Sequence, residues 1–390
     1  MKKTILLFDF ISHENMHLPF NEGYIKSLQE GFPDDDIIFS ACAGHIENLK
    51  SMLGNNSQNI YFNVIPNFST LVKDKSYHNP LYAIPAAKQC WKALENIAHN
   101  KNIRLACILG ANGALIHTFS KYWHKKQPGI LHFIQHDQLS TAMNWRSKNP
   151  FIKYFDYLSV LSRGLPAKQK LVVLELGLKE VLSQYAPKLA NSIITVEHPV
   201  LKREWLPAKP ITPDKPIKIA FVGHCGKGKG FDKYTQLAKK FTGEKYQFYA
   251  VGKENTQQAN DFDLSGLTIA PSKLHLARDE FTALLAEMDL VCLPLPTPIS
   301  HVSSGSIIDG FSASKPLILT SNQSNLAIEK KYGEYGIIVS SQDELDAVFN
   351  DFTIVKFEEK YTQWQHSLEK IRLARAEKAI GQLYIKLLQQ

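Results

Sequence analysis

The stretch 291–320, VCLPLPTPISHVSSGSIIDGFSASKPLILT, constrains this chain more than any other. Its leading flank, 289–295, is a short, continuous, β-branched-rich apolar run, the pattern of a strand buried on both faces. Pro294, Pro296 and Pro298 then break the backbone, and Ser303-Ser304-Gly305-Ser306 forms a small-residue turn. Ile307, Ile308 and Phe311 follow at helical spacing, Lys315-Pro316 stops that helix, and Leu317-Ile318-Leu319 begins another strand. Strand, turn, helix and strand in that order predict a unit of a parallel α/β sheet. The first N–H groups of a helix have no partner within it, and small residues let a ligand approach them, so this turn is an anion site. Asp309 lies about one turn further on, near enough to meet a sugar hydroxyl of a ligand whose phosphates sit at the helix start.

The N-terminal half reads as the same alternation. Residues 4–10 predict a buried strand, followed by a polar loop over 11–22 that carries His13, Glu14, His17, Asn21 and Glu22. A helix over 23–28 follows. Such a loop lies at the carboxyl edge of a parallel sheet, where ligands bind. Residues 36–41, 60–65 and 104–109 predict further strands, and 81–99 a helix with Ala86, Ala87, Cys90, Trp91, Leu94 and Ile97 at core spacing. Gly110-Ala111-Asn112-Gly113 is a second small-residue turn at a strand end. The strand 129–134 ends in Gln135-His136-Asp137-Gln138, which puts an imidazole and a carboxylate where proton transfer or acceptor binding could occur. Asp137 is the base expected if the reaction inverts. Residues 157–161 predict one more strand and 174–185 a helix.

Between 199 and 216 the composition shifts to a proline-rich segment, with Pro199, Pro207, Pro210, Pro213 and Pro216, which marks a linker near residue 205. A second sheet opens at 217–222 and runs into Gly223-His224-Cys225-Gly226-Lys227-Gly228-Lys229-Gly230. Glycines permit close backbone approach and lysines offer charge to phosphate. A nucleotide-triphosphate loop would need Ser or Thr after Lys229, where Gly230 stands. The spacing of a dinucleotide fingerprint is absent.

Two stretches carry a resemblance. Lys229-Gly230-Phe231-Asp232 after a strand, and the Ser/Gly turn and helix around 303–309, resemble the donor site of GT-B glycosyltransferases, the family 4-like group in particular. The resemblance covers 215–340 by motif and the first half only as architecture. It implies an α/β fold of GT-B architecture, two Rossmann-like domains with parallel sheets facing across a cleft. It implies an acceptor-binding domain over 1–205, a nucleotide-sugar-binding domain over 206–365, and a C-terminal helix over 366–390 packing back on the first domain. In that family the loop and helix hold a nucleotide diphosphate, one acidic residue on the helix holds the ribose, and another, eight positions earlier, faces the sugar. Asp309 takes the ribose role; His301 stands at the earlier position and His224 where an Arg is usual. The donor set so implied is Gly223, His224, Lys229, Gly230, Pro271, Leu274, His301, Ser303, Ser304, Gly305, Ser306 and Asp309, with 270–274 against the base. His13, His17 and Asn21 are assigned to the acceptor, and His136, Asp137 and Glu22 to catalysis.

The balance of 45 Lys and Arg against 37 Asp and Glu, net +8, suits an anionic ligand or an anionic membrane surface and does not by itself indicate nucleic acid. Five scattered cysteines without a Cys-x-x-Cys pair point to a reducing compartment and away from zinc. Asp9 interrupts the N-terminal apolar run, which reads as a first strand rather than a leader, and no run is long enough to span a membrane. The expected activity is transfer of a sugar from a UDP- or GDP-linked donor to a glycan or lipid-linked glycan, retaining, in surface polysaccharide synthesis. The enzyme would be cytoplasmic with peripheral membrane contact. No Asp-x-Asp motif occurs, so neither metal nor other cofactor is expected. A nucleotide-sugar epimerase of the same fold and a non-catalytic nucleotide-sugar-binding protein are the alternatives.

Overall fold

The computed structural model describes residues 2–389 except 55–57, 73–77, 128, 137, 138, 140–146, 210–214, 297–303, 352 and 353, with backbone alone at 124–126, 351 and 354–357. The chain forms two compact units, Met1–Pro199 with Glu377–Gln390, and Val200–Ala376. The division falls at Pro199, ahead of most of the proline-rich segment, and of the two last helices only Glu377–Gln389 joins the first unit. Ile354–Arg375 belongs to the second.

The first unit holds β1 (Thr4–Asp9), β2 (Asp36–Ala41), β3 (Ile60–Val64), β4 (Ile103–Leu109), β5 (Ile130–Gln135), β6 (Gln169–Val173) and β7 (Ile193–Thr195). They form one sheet in the order β3-β2-β1-β4-β5-β6-β7, parallel at every pair. Strands of such a sheet are covered on both faces, and β1 shows it. Ile5 and Leu7 pack with Tyr24, Ile25 and Leu28 on one side, while Leu6 and Phe8 pack with Trp91, Leu115 and Phe119 on the other. The helix Glu377–Gln389 lies against Leu18–Gly31 at a glycine contact: a Cβ on Gly31 would stand 2.7 Å from the Gly381 carbonyl oxygen. Tyr24 and Tyr384 share a buried hydrogen bond beside it.

The second unit holds β8 (Ile217–Cys225), β9 (Tyr246–Glu254), β10 (Leu267–Ile269), β11 (Leu290–Leu293), β12 (Leu317–Thr320) and β13 (Gly336–Val339). The order is β10-β9-β8-β11-β12-β13, again parallel. In each sheet the strand order reverses once, between β1 and β4 and between β8 and β11, and ligands of open α/β sheets bind outside the carboxyl ends at such a point. Two buried polar side chains hold the second unit together. The Tyr234 hydroxyl lies 2.8 Å from the Ile219 carbonyl and 2.9 Å from that of Tyr249, tying β8 to β9. The Lys315 ammonium donates to the carbonyls of Ala286 and Met288 at 2.8 and 2.5 Å, and burial pushes its pKa down to about 8.

Four sequence readings are corrected. Residues 157–161 are helical, within Tyr157–Ser162: the Asp156 carboxylate caps the turn by accepting from the Ser159 N–H at 2.7 Å. The strand is instead β6, twelve residues on, and the following helix begins only at Leu178, after Gly177 in the left-handed region. The first helix starts at Leu18, with Pro19 in its opening turn, so Asn21 and Glu22 are helical rather than loop residues. And β8 runs on through Gly223 and His224, which are therefore strand residues.

Candidate functional site

In the second unit, β8 and β9 stay in register to their ends, with Gly223 opposite Gly252 and His224 opposite Lys253. A Cβ on Gly252 would overlap the Gly223 carbonyl, so the pair can close only without side chains. Gly223 has φ +97°, and a Cβ there would lie 2.5 Å from Ser306 Oγ. The first turn of the helix Gly305–Ser312 therefore sits directly against the end of β8. Gly230, at φ +79°, lets the turn Lys227–Lys229 close over the end of β11, where a Cβ would overlap the Pro294 carbonyl.

That turn is not built to cradle phosphate with its backbone. The N–H groups of Lys229, Gly230 and Phe231 donate back to Gly226, Lys227 and Gly226 at 2.9, 3.0 and 3.3 Å, and that of Lys227 to Gln258 Oε1 at 3.0 Å. The available donors lie instead at the helix Gly305–Ser312, which has no capping side chain. Ser304, at its N-cap, is 4% exposed and its hydroxyl has no hydrogen-bond partner among the described residues. A buried unpartnered hydroxyl at an uncapped helix start is an unmet demand for a hydrogen-bonding ligand.

Asp309 faces Arg278, whose Nη2 lies 2.9 Å from Asp309 Oδ1. The same guanidinium holds Glu204 at 3.0 and 2.5 Å. Burial raises the Asp309 carboxyl from its ordinary value; Arg278 opposes this and the neighbouring Glu204 charge adds to it. The 2.9 Å contact to a guanidinium is that of a carboxylate, and it leaves Oδ2 for another donor. Positive charge gathers at the strand ends. His224 is exposed, and burial, then Lys229, Lys253 and His275, lower its pKa. His275 arrives on the loop after β10, which is tied to β9 by the Ser272 N–H to the Gly252 carbonyl and the Glu254 N–H to the Ser272 carbonyl, both 2.8 Å. In that loop Pro271 is half-buried and Leu274 is 76% exposed.

The carboxyl edge of the first sheet is of another kind. Asp9, at the end of β1, accepts from the N–H groups of Ile11 and Ser12 at 3.2 and 2.8 Å and from Asn21 Nδ2 at 2.9 Å. Asn21 also meets His45 Nε2 at 2.8 Å, while His45 Nδ1 is 2.9 Å from the Glu14 carbonyl. One tautomer satisfies both contacts: Nδ1–H donates to the carbonyl and Nε2 accepts from the amide. Asn21 is thus an interior tie and Glu22 a fully buried carboxylate, 2.8 Å from Lys26 Nζ. His17, at φ +55° ahead of the helix, stacks on His136 at 4.5 Å, and Phe20 meets His136 edge-on at 4.3 Å. Burial, then His17 and His198, hold the His136 pKa well below the usual imidazole value. His13 is exposed in the turn before it.

Asp137, His301 and Ser303 lie outside the described residues. The structure brings together Gly223, His224, Lys229, Gly230, Ser304, Gly305 and Ser306 in one unit and His17 with His136 in the other. Sequence reading missed Lys253, His275, Arg278 and Glu204. Lys253 carried a signal, since it follows a glycine at a strand end; Arg278 and Glu204 are 74 positions apart and carried none. A groove of about 420 Å³, lined by Asp36, Tyr61, Asn63, Asn96, His99 and Lys101 among others, opens near the amino ends of β1 and β2 and contains none of the residues assigned from the sequence to donor, acceptor or catalysis.

No family model matches the chain, and no curated protein matches it. Solved structures do. Alr3699/HepE of Anabaena, in complex with UDP, superposes with a TM-score of 0.67 at 14% identity, covering 100% of both chains. A glycosyltransferase from Rickettsia africae gives 0.64 at 13% identity over 100% of this chain and 98% of that one. The lipopolysaccharide outer core galactosyltransferase WaaB gives 0.66 at 10% identity, over 99% and 100%. At such identities the likeness is one of fold: the chain has the two-domain, Rossmann-like α/β architecture of the GT-B glycosyltransferases.

Proposed function

We propose that this chain is a nucleotide-sugar-dependent glycosyltransferase. The observation that carries the reading is the uncapped start of Gly305–Ser312, with its buried, unpartnered Ser304 hydroxyl set against Gly223 beside a cluster of basic residues. A diphosphate answers that demand. Solved structures of the same fold include Alr3699/HepE with UDP and with UDP-glucose, which supports a uridine donor first and a guanosine donor second.

As the bond to the transferred sugar breaks, negative charge grows on the leaving diphosphate. Lys229 and the N–H groups of Gly305 and Ser306 would stabilise that charge more than the ground state, which is what lowers the barrier. Asp309 Oδ2 would accept from the ribose while Arg278 fixes Oδ1. The loop 270–274 would lie along the base through its backbone, with Leu274 offering apolar surface. In the first unit His136, Asp137 and Glu22 remain the proposed catalytic groups, and His13 and His17 the proposed acceptor contacts. The lowered pKa suits His136 to accepting a hydrogen bond from an acceptor hydroxyl rather than holding a proton. We assign a glycan or lipid-linked glycan acceptor in surface polysaccharide synthesis, and a retaining outcome, on the resemblance. Net charge +8 and five free cysteines support a cytoplasmic protein meeting an anionic surface. Among the described residues no helix is long and apolar enough to cross a membrane.

The test is thermal unfolding against UDP-, GDP-, ADP- and CMP-compounds, with Lys229→Ala and Asp309→Asn alongside. A ligand at about 100 times its Kd adds about 2.7 kcal/mol to the folded state. One nucleotide diphosphate stabilising the wild type and neither variant is the expected result; stabilisation by ATP with magnesium alone overturns the reading. The stabilising sugar nucleotide is then incubated with and without acceptor. Conversion without acceptor identifies an epimerase, and lasting binding without turnover a binding protein.

A further inference from the structure

The basic groups at the ends of β8 and β9 are of two kinds, and their arrangement has a consequence for how a diphosphate is held. His224 and Lys253 are direct neighbours across the strand pair, on the same face, because parallel strands in register present opposed residues to one side. The Gly223–Gly252 contact just before them brings the two strand ends into an approach too close for a side chain between them. Lys229 comes from the turn that follows β8, and His275 from the loop pinned to β9 by the two Ser272 hydrogen bonds. Among the described residues, Lys229, Lys253 and His275 are the charged and titratable groups that act on His224, and none of the three is an acid. An ammonium group as a class is cationic near neutrality, whereas an imidazole can gain or lose its proton there.

Resting on the donor reading above, we infer that His224 is a proton-linked ligand of the diphosphate and that Lys253 is its permanent partner cation, a contact outside the set the sequence motifs indicate. Without ligand, partial burial first, and then Lys229, Lys253 and His275, lower the pKa of the imidazole and favour its neutral form. A diphosphate placed among these groups reverses the field. The imidazolium then donates to a phosphate oxygen, and binding draws one proton from solvent. An N–H bond forms on the His224 ring as the buffer acid gives up that proton, and no other covalent bond changes. Affinity therefore rises as pH falls, over the window between the free and bound pKa values of His224, and is flat above it. His224 thus behaves as a cation only when the anion is present, which leaves the empty site with one less mutually repelling charge.

The experiment is calorimetric titration with UDP-glucose, or GDP-mannose if the thermal panel selects guanosine. A sugar nucleotide is required because its diphosphate has no group that titrates between pH 6 and 8, whereas the terminal phosphate of free UDP has a pKa of about 6. Titrations at pH 7 in two buffers of different ionisation enthalpy report protons taken up per ligand. The wild type is expected to take up a fraction of a proton and to bind up to about tenfold tighter at pH 6 than at pH 8. His224→Gln should abolish the uptake and flatten the profile, and His275→Gln should leave both in place. Lys253→Gln should weaken binding about tenfold while leaving proton uptake on His224 in place, because the charge it removes acts on the imidazole in both the free and the bound state. His224 is exposed and Lys253 half-exposed, so neither substitution should disturb folding. Binding without proton uptake, or uptake that survives His224→Gln, overturns the inference while leaving the donor reading intact. Failure of every sugar nucleotide to bind removes both.

Discussion

The carboxyl edge of the first sheet is closed by side chains that answer one another, and that of the second is left open in backbone and positive charge. At the first edge Asp9, Asn21 and His45 form a buried chain of hydrogen bonds, and His17, His136, Phe20 and His198 stack beside it. At the second, glycines bring the strand ends and a helix start together, Ser304 keeps an unanswered hydroxyl, and the cations stand toward solvent. The same topology, with its reversal of strand order, produces both. The difference is one of degree: Asn21 Oδ1 and Gln135 Oε1 at the first edge are also buried without a partner among the described residues, but its carboxylate, amide and imidazole are buried and tied to one another, whereas the cations of the second are partly or fully exposed. A buried, interlinked edge should respond to change through stability. An exposed, basic edge should respond through binding.

Acid gives the largest separation. Burial holds His45, His132 and His136 below the ordinary imidazole value in the first unit, His132 at about 3, with Asp9 opposing the shift at His45. Their unfolded pKa is about 6.5. Between that value and the folded one the unfolded chain binds protons that the folded chain refuses, so stability falls as pH falls. Well below its unfolded pKa each such histidine contributes up to about 1.4 kcal/mol per pH unit, so His132 and His136 together make about 3 kcal/mol between pH 6.5 and 5.0, and His45 adds in the same direction. Hydrogen exchange read on peptides from each unit should show the first unit opening first on acidification, and His132→Gln should recover about half of that ~3 kcal/mol. If the second unit opens first, the contrast drawn here is mistaken.

Next in size are substitutions that attack what holds each edge. Gly252→Ala places a methyl group on the Gly223 carbonyl and should lower stability by about 3 kcal/mol, since neither backbone can retreat from a paired strand. Its effect shows that the second edge has a rigid frame even though its contents are open. Asp9→Ala in the first unit leaves the Ile11 and Ser12 N–H groups without this acceptor and the Asn21 amide with His45 alone, and should lower stability by about 2 kcal/mol. Urea unfolding measures both. An Asp9→Ala protein as stable as the wild type would mean the network contributes nothing to the fold.

The two edges were unequally legible in sequence for the same physical reason. The second is assembled from short windows: Gly223 to Gly230 after one strand, Ser304 to Asp309 at one helix. Glycine, serine and lysine at a strand-to-helix junction have few other uses, so the windows could be read alone. The first is assembled from residues far apart in sequence. Asn21 meets His45 24 positions away, and His17 stacks on His136 across the sheet. Asn21 and Glu22 read as loop because the glycine after them was taken as the start of the helix, whereas Pro19 marks its first turn. The parallel pairing could be expected from the alternation of elements, but the strand order could not, and 157–161 reads as a strand in place of β6 because it is an apolar stretch too short for periodicity to decide. Arg278 was invisible because its meaning depends on Glu204 and Asp309, 74 and 31 positions distant.

The smallest expected effect on stability is also the sharpest test of the contrast. Lys229 lies on a turn whose backbone is fixed by its own hydrogen bonds, from the Lys229 and Gly230 N–H groups to Gly226 and Lys227. The side chain is half-exposed, so Lys229→Ala removes charge without opening a cavity and should change stability by less than about 0.5 kcal/mol. The same change should weaken a sugar nucleotide by about tenfold or more, about 1.4 kcal/mol, because a charge-assisted contact to phosphate is lost. Binding and unfolding measured on one preparation give both numbers. A protein that loses stability but not affinity would make Lys229 part of the frame, and the open edge would then be closed in the same sense as the first.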